Sequence, residues 1–419
     1  MRKIYLSVLA LYLSILASHA QPVQPPVKDT SNYEMRKLKV DEINFVSAYY
    51  HQNGNNSAVT GGIGSEKLTD FANTIDLQLS KYNRAGRKNT LLFELGVDHY
   101  TSASSDKIDP YSVSSASSQD TRIYPSLNWT QSNENTGNSF GFTGSASHEF
   151  DYQSFGAGFN LTRLSHDKNT QFDFKLQAFL DKWKVILPVE LRPAGYGSGS
   201  NRDGRNPVDH KPRNSFSASF SLSQVVTQRM QVLLVAEPSY QKGLLATDYQ
   251  RVYFNGDFAT GAGPNNDIFN ERIEKLPGGR YKLPVAVRLN YFLDDRFIIR
   301  TFYRYYTDSW GIRAHTAEIE VPVKITPFIS VSPFYRYSTQ KGTKYFAPYG
   351  QHSVTDEYYT SDYDLSTLHS NFVGSGIRLA PPDGVFGIPH LNALELRFGH
   401  YMRSTGLNSN IVTLNLKIK

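Results

Sequence analysis

Charged residues recur at alternate positions along the stretch from Leu283 to Ser338. A period-two backbone puts Arg288, Arg300, Arg304, Glu318, Glu320, Lys324 and Arg336 on one face of it. Lining a water-filled lumen, such a ladder sets a transverse field that favours or excludes ions by sign. It also fills and rigidifies a wet interior with ion pairs. That structural use is the more economical one, because charges within a membrane face water or one another whatever the cargo. Earlier in the chain Asp76, Glu94, Asp98 and Asp173 fall on the same face, with only Lys175 nearby. An acid-rich wall opposite an Arg-rich one suits a small zwitterion or polar solute better than a charged polymer. Loops folded inward over these charges would neutralise the pattern equally well.

Other constellations are less specific. The acids Asp106 and Asp109, and Asp356, Glu357, Asp362 and Asp364, belong to loop-like stretches and offer the all-oxygen donors that Ca²⁺ takes, but their spacing matches no defined calcium loop. Hydrolysis would need a nucleophile, a base and an orienting group within reach of one another. His99, His148, His166, His315 and His400 lie near Ser or Asp without any pairing that stands out, so no enzyme is expected. The run Gly195–Gly204 has no strand-to-helix context and reads as an outer loop rather than a phosphate cradle. No cofactor is implied.

The elements that must position these charges are strands. Segments of about ten residues alternate in hydrophobicity from Val40 onward. The last is clearest, with Val412, Leu414, Leu416 and Ile418 on one face and Thr413, Asn415, Lys417 and Lys419 on the other. The pattern recurs at Ile75, Leu77 and Leu79; at Phe93, Leu95 and Val97; at Phe216, Ala218, Phe220 and Leu222; and at Leu394, Leu396 and Phe398. About sixteen strands result, an even number as single-chain bacterial barrels require. Their connections alternate between short turns and long polar stretches at 53–67, 101–119, 185–212, 241–282 and 339–367. The long ones all fall on one side, which a soluble sandwich has no reason to arrange. Trp129, Tyr303, Tyr305, Tyr306 and Trp310 stand near strand ends, where rings sit at headgroup level. The alternative is an aromatic path for sugars inside the lumen, for which Phe292, Phe302, Tyr306 and Phe334 fall on the polar face in this register.

Composition points the same way. Hydrophobic residues make up 39% of the chain, yet it holds 27 Tyr and 25 Phe. A barrel with a polar lumen and aromatic girdles accounts for both. Arg2 and Lys3, an apolar run to Ala17, and small residues at Ser18 and Ala20 read as a secretory signal spanning 1–20. Residues 21–39 read as a short periplasmic lead-in, too short for a plug, and 40–419 as the barrel. The net charge of +6 falls to +4 once Arg2 and Lys3 are removed, so nucleic acid is not a partner. With no cysteine, neither disulfides nor a thiolate metal site contributes.

The run YRYYTDSWGIRAHTAEIE (Tyr303–Glu320), with TSASSD (Thr101–Asp106) and SSASSQDTRIYPSLNW (Ser114–Trp129), resembles an uncharacterised outer-membrane β-barrel family of Bacteroidota, known only as a domain of unknown function. The resemblance runs from Met35 to Lys419 and implies an outer-membrane barrel with no established activity. The terminal Ile418-Lys419 departs from the aromatic ending of proteobacterial barrels. The expectation is therefore an all-β fold, a transmembrane antiparallel β-barrel of the bacterial outer membrane with long outer loops and short periplasmic turns. Lipids of that membrane and the barrel-assembly machinery are its expected partners. Two roles fit: a loop-constricted passive channel for a small polar solute, or a plugged scaffold for a surface lipoprotein or a periplasmic complex.

Overall fold

The computed structural model describes residues 37–101, 119–192, 210–255 and 270–419. The signal, nearly all of the lead-in, Asp106, Asp109 and Gly195–Gly204 lie outside them. The strands are β1 (Lys39–Asn53), β2 (Leu68–Tyr82), β3 (Lys88–Thr101), β4 (Gln119–Ser132), β5 (Ser139–His148), β6 (Tyr152–Leu164), β7 (Thr170–Lys184) and β8 (His210–Thr227). Next come β9 (Met230–Ala236, continued by Ser239–Gly243), β10 (Gly279–Phe292), β11 (Ile298–Asp308) and β12 (Arg313–Glu320, continued by Val323–Thr326). The series ends with β13 (Ile329–Lys341), β14 (Leu368–Leu379), β15 (Leu391–Arg403) and β16 (Asn408–Ile418). The breaks in β9 and β12 fall at Pro238 and Pro322, which cannot donate to the ladder.

Each strand pairs antiparallel with the next, and β1 pairs with β16 from Ile43 opposite Ile418 to Asn53 opposite Asn408. The sheet is thus a closed barrel of 16 strands, and closure leaves no unpaired edge. One face carries exposed Phe93, Leu127, Phe142, Phe155, Phe220, Val285, Ile319, Leu396 and Phe398. Such a band is stable only against hydrocarbon, where the closed ladder satisfies every backbone polar group. Among the described residues no helix is long and apolar enough to cross a membrane.

The two ends differ. One end has tight turns, such as that at 294–297 where Asp294 Oδ1 accepts the N–H groups of Arg296 and Phe297, each at 2.8 Å. The connection at 380–390 at this end is longer and holds the buried Val385. At the other end the connections 54–67, 185–209, 244–278 and 342–367 are long, while 149–151, 309–312 and 404–407 are short.

The buried apolar residues lie mainly at that loop end. Val59 packs on Ile186; Leu245, Ala246, Leu276 and Trp310 form a second cluster; Val252, Phe254 and Tyr359 form a third. Arg251–Asn255 pairs antiparallel with Glu271–Ile273 and parallel with His352–Ser353. The β1–β2 and β7–β8 loops stand six strands apart around the ring, so the Val59–Ile186 contact crosses the mouth. These loops form a roof. At Gly61 (φ +79°) a Cβ would come 2.5 Å from the Tyr253 ring, so the seat of that ring requires glycine. Trp310 corrects the expectation of an interfacial ring: it is 3% exposed and packs inside the roof, with the Arg280 guanidinium 4.2 Å from its ring.

Candidate functional site

The ladder of the sheet decides which side chains share a face. Arg288 stands opposite Phe302, Phe302 opposite Glu318, and Glu318 opposite Arg336. Arg300 and Arg304 stand opposite Glu320 and Thr316. All point away from the apolar band. Arg336 pairs with Glu318, and Arg300 Nη1 lies 3.2 Å from Glu320 Oε2. Lys324, opposite Ser330 near the turn end, shares the face without joining these pairs.

Arg397, on β15, was not singled out among the candidates although it alternates with Leu396 and Phe398. Its Nη2 lies 2.9 Å from Glu320 Oε1 on β12, and its Nη1 3.2 Å from Glu395. The contact with Glu320 crosses β13 and β14, which only the concave face of a barrel allows. A Cβ at Gly376 would lie 2.9 Å from Arg397 Cγ, so that glycine keeps the path clear. Arg288, Arg336 and Arg397 lie 5.4–5.5 Å from the rings of Phe302, Phe372 and Phe334, so aromatic faces share the cations with the carboxylates.

The acids divide. Asp76 stands opposite Glu94, and Asp98 receives the Tyr124 hydroxyl at 3.0 Å. Asp76 Oδ1 is buried without a hydrogen-bond partner. Asp173 differs, because Thr162, Gln171 and Ser221 all donate to it and make it a satisfied structural acid. In a ring of 16 strands, β2 and β3 lie eight positions from β10 and β11. Asp76 and Glu94 therefore face the wall that carries Arg288, Arg300 and Arg304.

At the loop end a cavity of about 400 Å³ lies between roof and wall. It brings together Glu66, Asp362, Asp364 and Arg403, which come from separate loops and a strand end, so no spacing in the sequence signals it. Arg403 Nη1 pairs with Asp364. Burial pushes the Glu66 carboxyl up, with Arg403 opposing, and burial together with Asp364 pushes Asp362 up to about 7. Asp356 instead lies 3.3 Å from His352, and among the described residues Asp356, Glu357, Asp362 and Asp364 form no common cluster.

Asp120, Glu149 and Asp151 do converge, their oxygens lying within 4.8 Å of one another. Burial, then Asp120 and Glu149, push Asp151 up to about 6. The donor set is the hard, all-oxygen kind that calcium takes, but Arg122 Nε lies 3.4 Å from Glu149 and supplies a counter-charge. His99, His315 and His400 hydrogen-bond Thr121, Tyr303 and Asn410 across the strands.

Residues 97–403 match the family described as protein of unknown function (DUF3570). The chain belongs to that family. No curated protein matches this DUF3570 barrel. Among solved structures it is similar to a BenF-like porin from Pseudomonas fluorescens Pf-5, at 8% identity over 90% of this chain and 98% of that one, TM-score 0.36. It is also similar to OccAB4 of Acinetobacter baumannii, at 7% identity over 93% and 99%, TM-score 0.35. A third similar structure is BamA from Haemophilus ducreyi lacking POTRA domains 1-3, at 12% identity over 95% and 75%, TM-score 0.44.

Proposed function

We propose that this DUF3570 barrel is a passive channel for a small polar solute in the outer membrane of a diderm bacterium, exported by the signal at residues 1–20. The observation that carries the reading is the pair of opposed walls, Asp76 and Glu94 against Arg288, Arg300 and Arg304, on the face turned away from the apolar band. Opposed charges of this kind orient a dipolar solute and hold back a strongly charged one. The roof makes the passage narrow, leaving it to run between loops rather than through an open mouth. Around sixteen strands are enough for an aqueous lumen where side chains and loops do not fill it.

Single-channel recording of the purified protein in a planar bilayer tests this. Steady conductance of small amplitude is expected, and a folded but electrically silent barrel would overturn the channel. In that event the roof itself favours the second reading, a scaffold. Its interlocked loops, with Val252 wholly buried, form a rigid outer surface on which a surface lipoprotein could dock. A stoichiometric partner recovered with the barrel would support that role.

A further inference from the structure

On the outward side of the wall, the strands from β6 to β10 enclose a groove. Ala157 of β6 stands opposite Ala178 of β7, and Leu176 of β7 opposite Ala218 of β8. The three alanines floor a hollow of about 650 Å³ whose sides are Phe159, Leu176 and Phe216. On β9 and β10 the rings of Tyr240 and Tyr281 stack at 4.4 Å and close its far side. Along the same strands Phe155, Leu180 and Phe220 share this face and are exposed, so the groove opens within the apolar band. What lies against that band is hydrocarbon. A wall of uniform height lets acyl chains slide past, whereas a floor of methyl groups between raised side chains confines one chain.

The rim nearer the loops specifies the headgroup. Lys182 follows the exposed Leu180 at the next outward position of β7, and Lys242 follows Tyr240 in the same way on β9. Both are exposed, and among the described residues neither has a carboxylate within ion-pair distance. Their outward neighbours in the ladder are Gln153, Pro212, Asn214 and Gly279, none of them acidic. Lys182 stands four residues beyond Ala178, about 13 Å along the strand, so its stem climbs from the apolar band to the level of lipid headgroups. Only β8 separates the two lysines, a lateral span of about 10 Å that two such side chains bridge. Two outward cations with no acid beside them, above a groove for a hydrocarbon chain, match an anionic amphiphile. A second copy of the protein fits badly, because a two-fold contact would set the same lysines against each other. We propose that this face binds one lipid with an anionic phosphate headgroup, its acyl chain in the groove and its phosphate between Lys182 and Lys242. The inference rests on the outer-membrane placement proposed above and not on the pore.

Native mass spectrometry of the purified protein in detergent tests this, with phosphatidylglycerol and phosphatidylcholine of identical acyl chains as probes. One phosphatidylglycerol is expected to be held at least tenfold more tightly than phosphatidylcholine, since each lysine near an anionic headgroup is worth about fivefold. Lys182→Gln with Lys242→Gln should abolish that preference. Ala218→Phe, which raises the groove floor, should weaken both lipids severalfold and keep the preference. Lys81→Gln removes an outward lysine at the turn end of β2 and should change neither. Unaltered heat-modifiable migration in gels shows that each variant is folded. Equal retention of the two lipids, a preference that survives the double substitution, or binding indifferent to Ala218→Phe would each overturn the proposal. So would a dimer that Ala218→Phe breaks, since it would give the groove to a second copy. Reconstitution separates this result from the readings above. A barrel that does not insert into liposomes loses the membrane placement; one that inserts and conducts without a headgroup preference keeps the channel and loses the lipid site; a silent one with the preference keeps the site alone.

Discussion

Glu274 sits in the roof at 6% exposure, where its Oε2 accepts the N–H of Thr247 at 2.7 Å. Burial first, then the charge of Asp362, push its carboxyl up to about 8. In the unfolded loop a glutamate titrates near 4.3. Between those values the folded roof holds a proton that the opened roof releases, so roof stability falls as pH rises from about 4 to 8. Glu274→Gln keeps an acceptor for Thr247 and removes the titration. Limited proteolysis of the 244–278 connection is therefore expected to be nearly unchanged by the substitution at pH 5 and slowed severalfold at pH 8. Equal effects at both values would mean that the carboxyl is not held neutral. Asp362, pushed up in the same direction, retains part of the pH dependence in the variant.

At the scale of elements, the roof depends on Arg251, which joins three loops. Its Nη1 donates to the Val59 carbonyl at 3.0 Å, and it pairs with Glu190 while itself 7% exposed. Arg251→Ala leaves the Val59 carbonyl without this donor while the exposed Glu190 turns to water, at a cost of about 1–3 kcal/mol that falls on the roof alone. Faster proteolysis within 54–67 and 185–192 is expected, with the barrel's heat-modifiable migration preserved. Loss of that migration would show that roof and wall are one cooperative unit. The contrast between wall and roof also explains what was legible in the sequence. Strands such as Val412–Ile418 announce themselves because one face meets lipid and the other water, which writes a period of two into the residues. The roof has no such period: Val59, Ile186, Val252 and Tyr359 are scattered over four loops and meet only after the barrel brings their ends together. Trp310 was misjudged for that reason, because a ring at a strand end reads the same whether it leans into lipid or beneath a roof. Arg397 could have been found from its alternation alone, whereas Glu66 and Arg403, 337 positions apart, could not.

At the scale of the whole molecule, the opposed walls make a prediction that separates a functional field from a structural filling. Among the described residues neither Arg288 nor Arg304 has a carboxylate within ion-pair distance, whereas Arg300, Arg336 and Arg397 are neutralised in pairs. Asp76, with an unpartnered oxygen, is the corresponding open charge on the far wall. If the walls select by sign, removing open charges must shift selectivity in opposite directions on the two sides. Arg288→Gln with Arg304→Gln is expected to move the reversal potential toward cations, and Asp76→Asn toward anions, each by a few millivolts to about 10 mV in a tenfold salt gradient. The Debye length is about 10 Å at 0.1 M and shortens with salt, so both shifts should shrink as the concentration rises. Structural filling gives another result: these substitutions would lower thermal stability or leave it unchanged, and the reversal potential would not move with the sign of the charge removed. Shifts of equal sign on both walls would implicate altered pore width instead, since width affects all ions alike. Only opposite shifts that fade with salt support a transverse field.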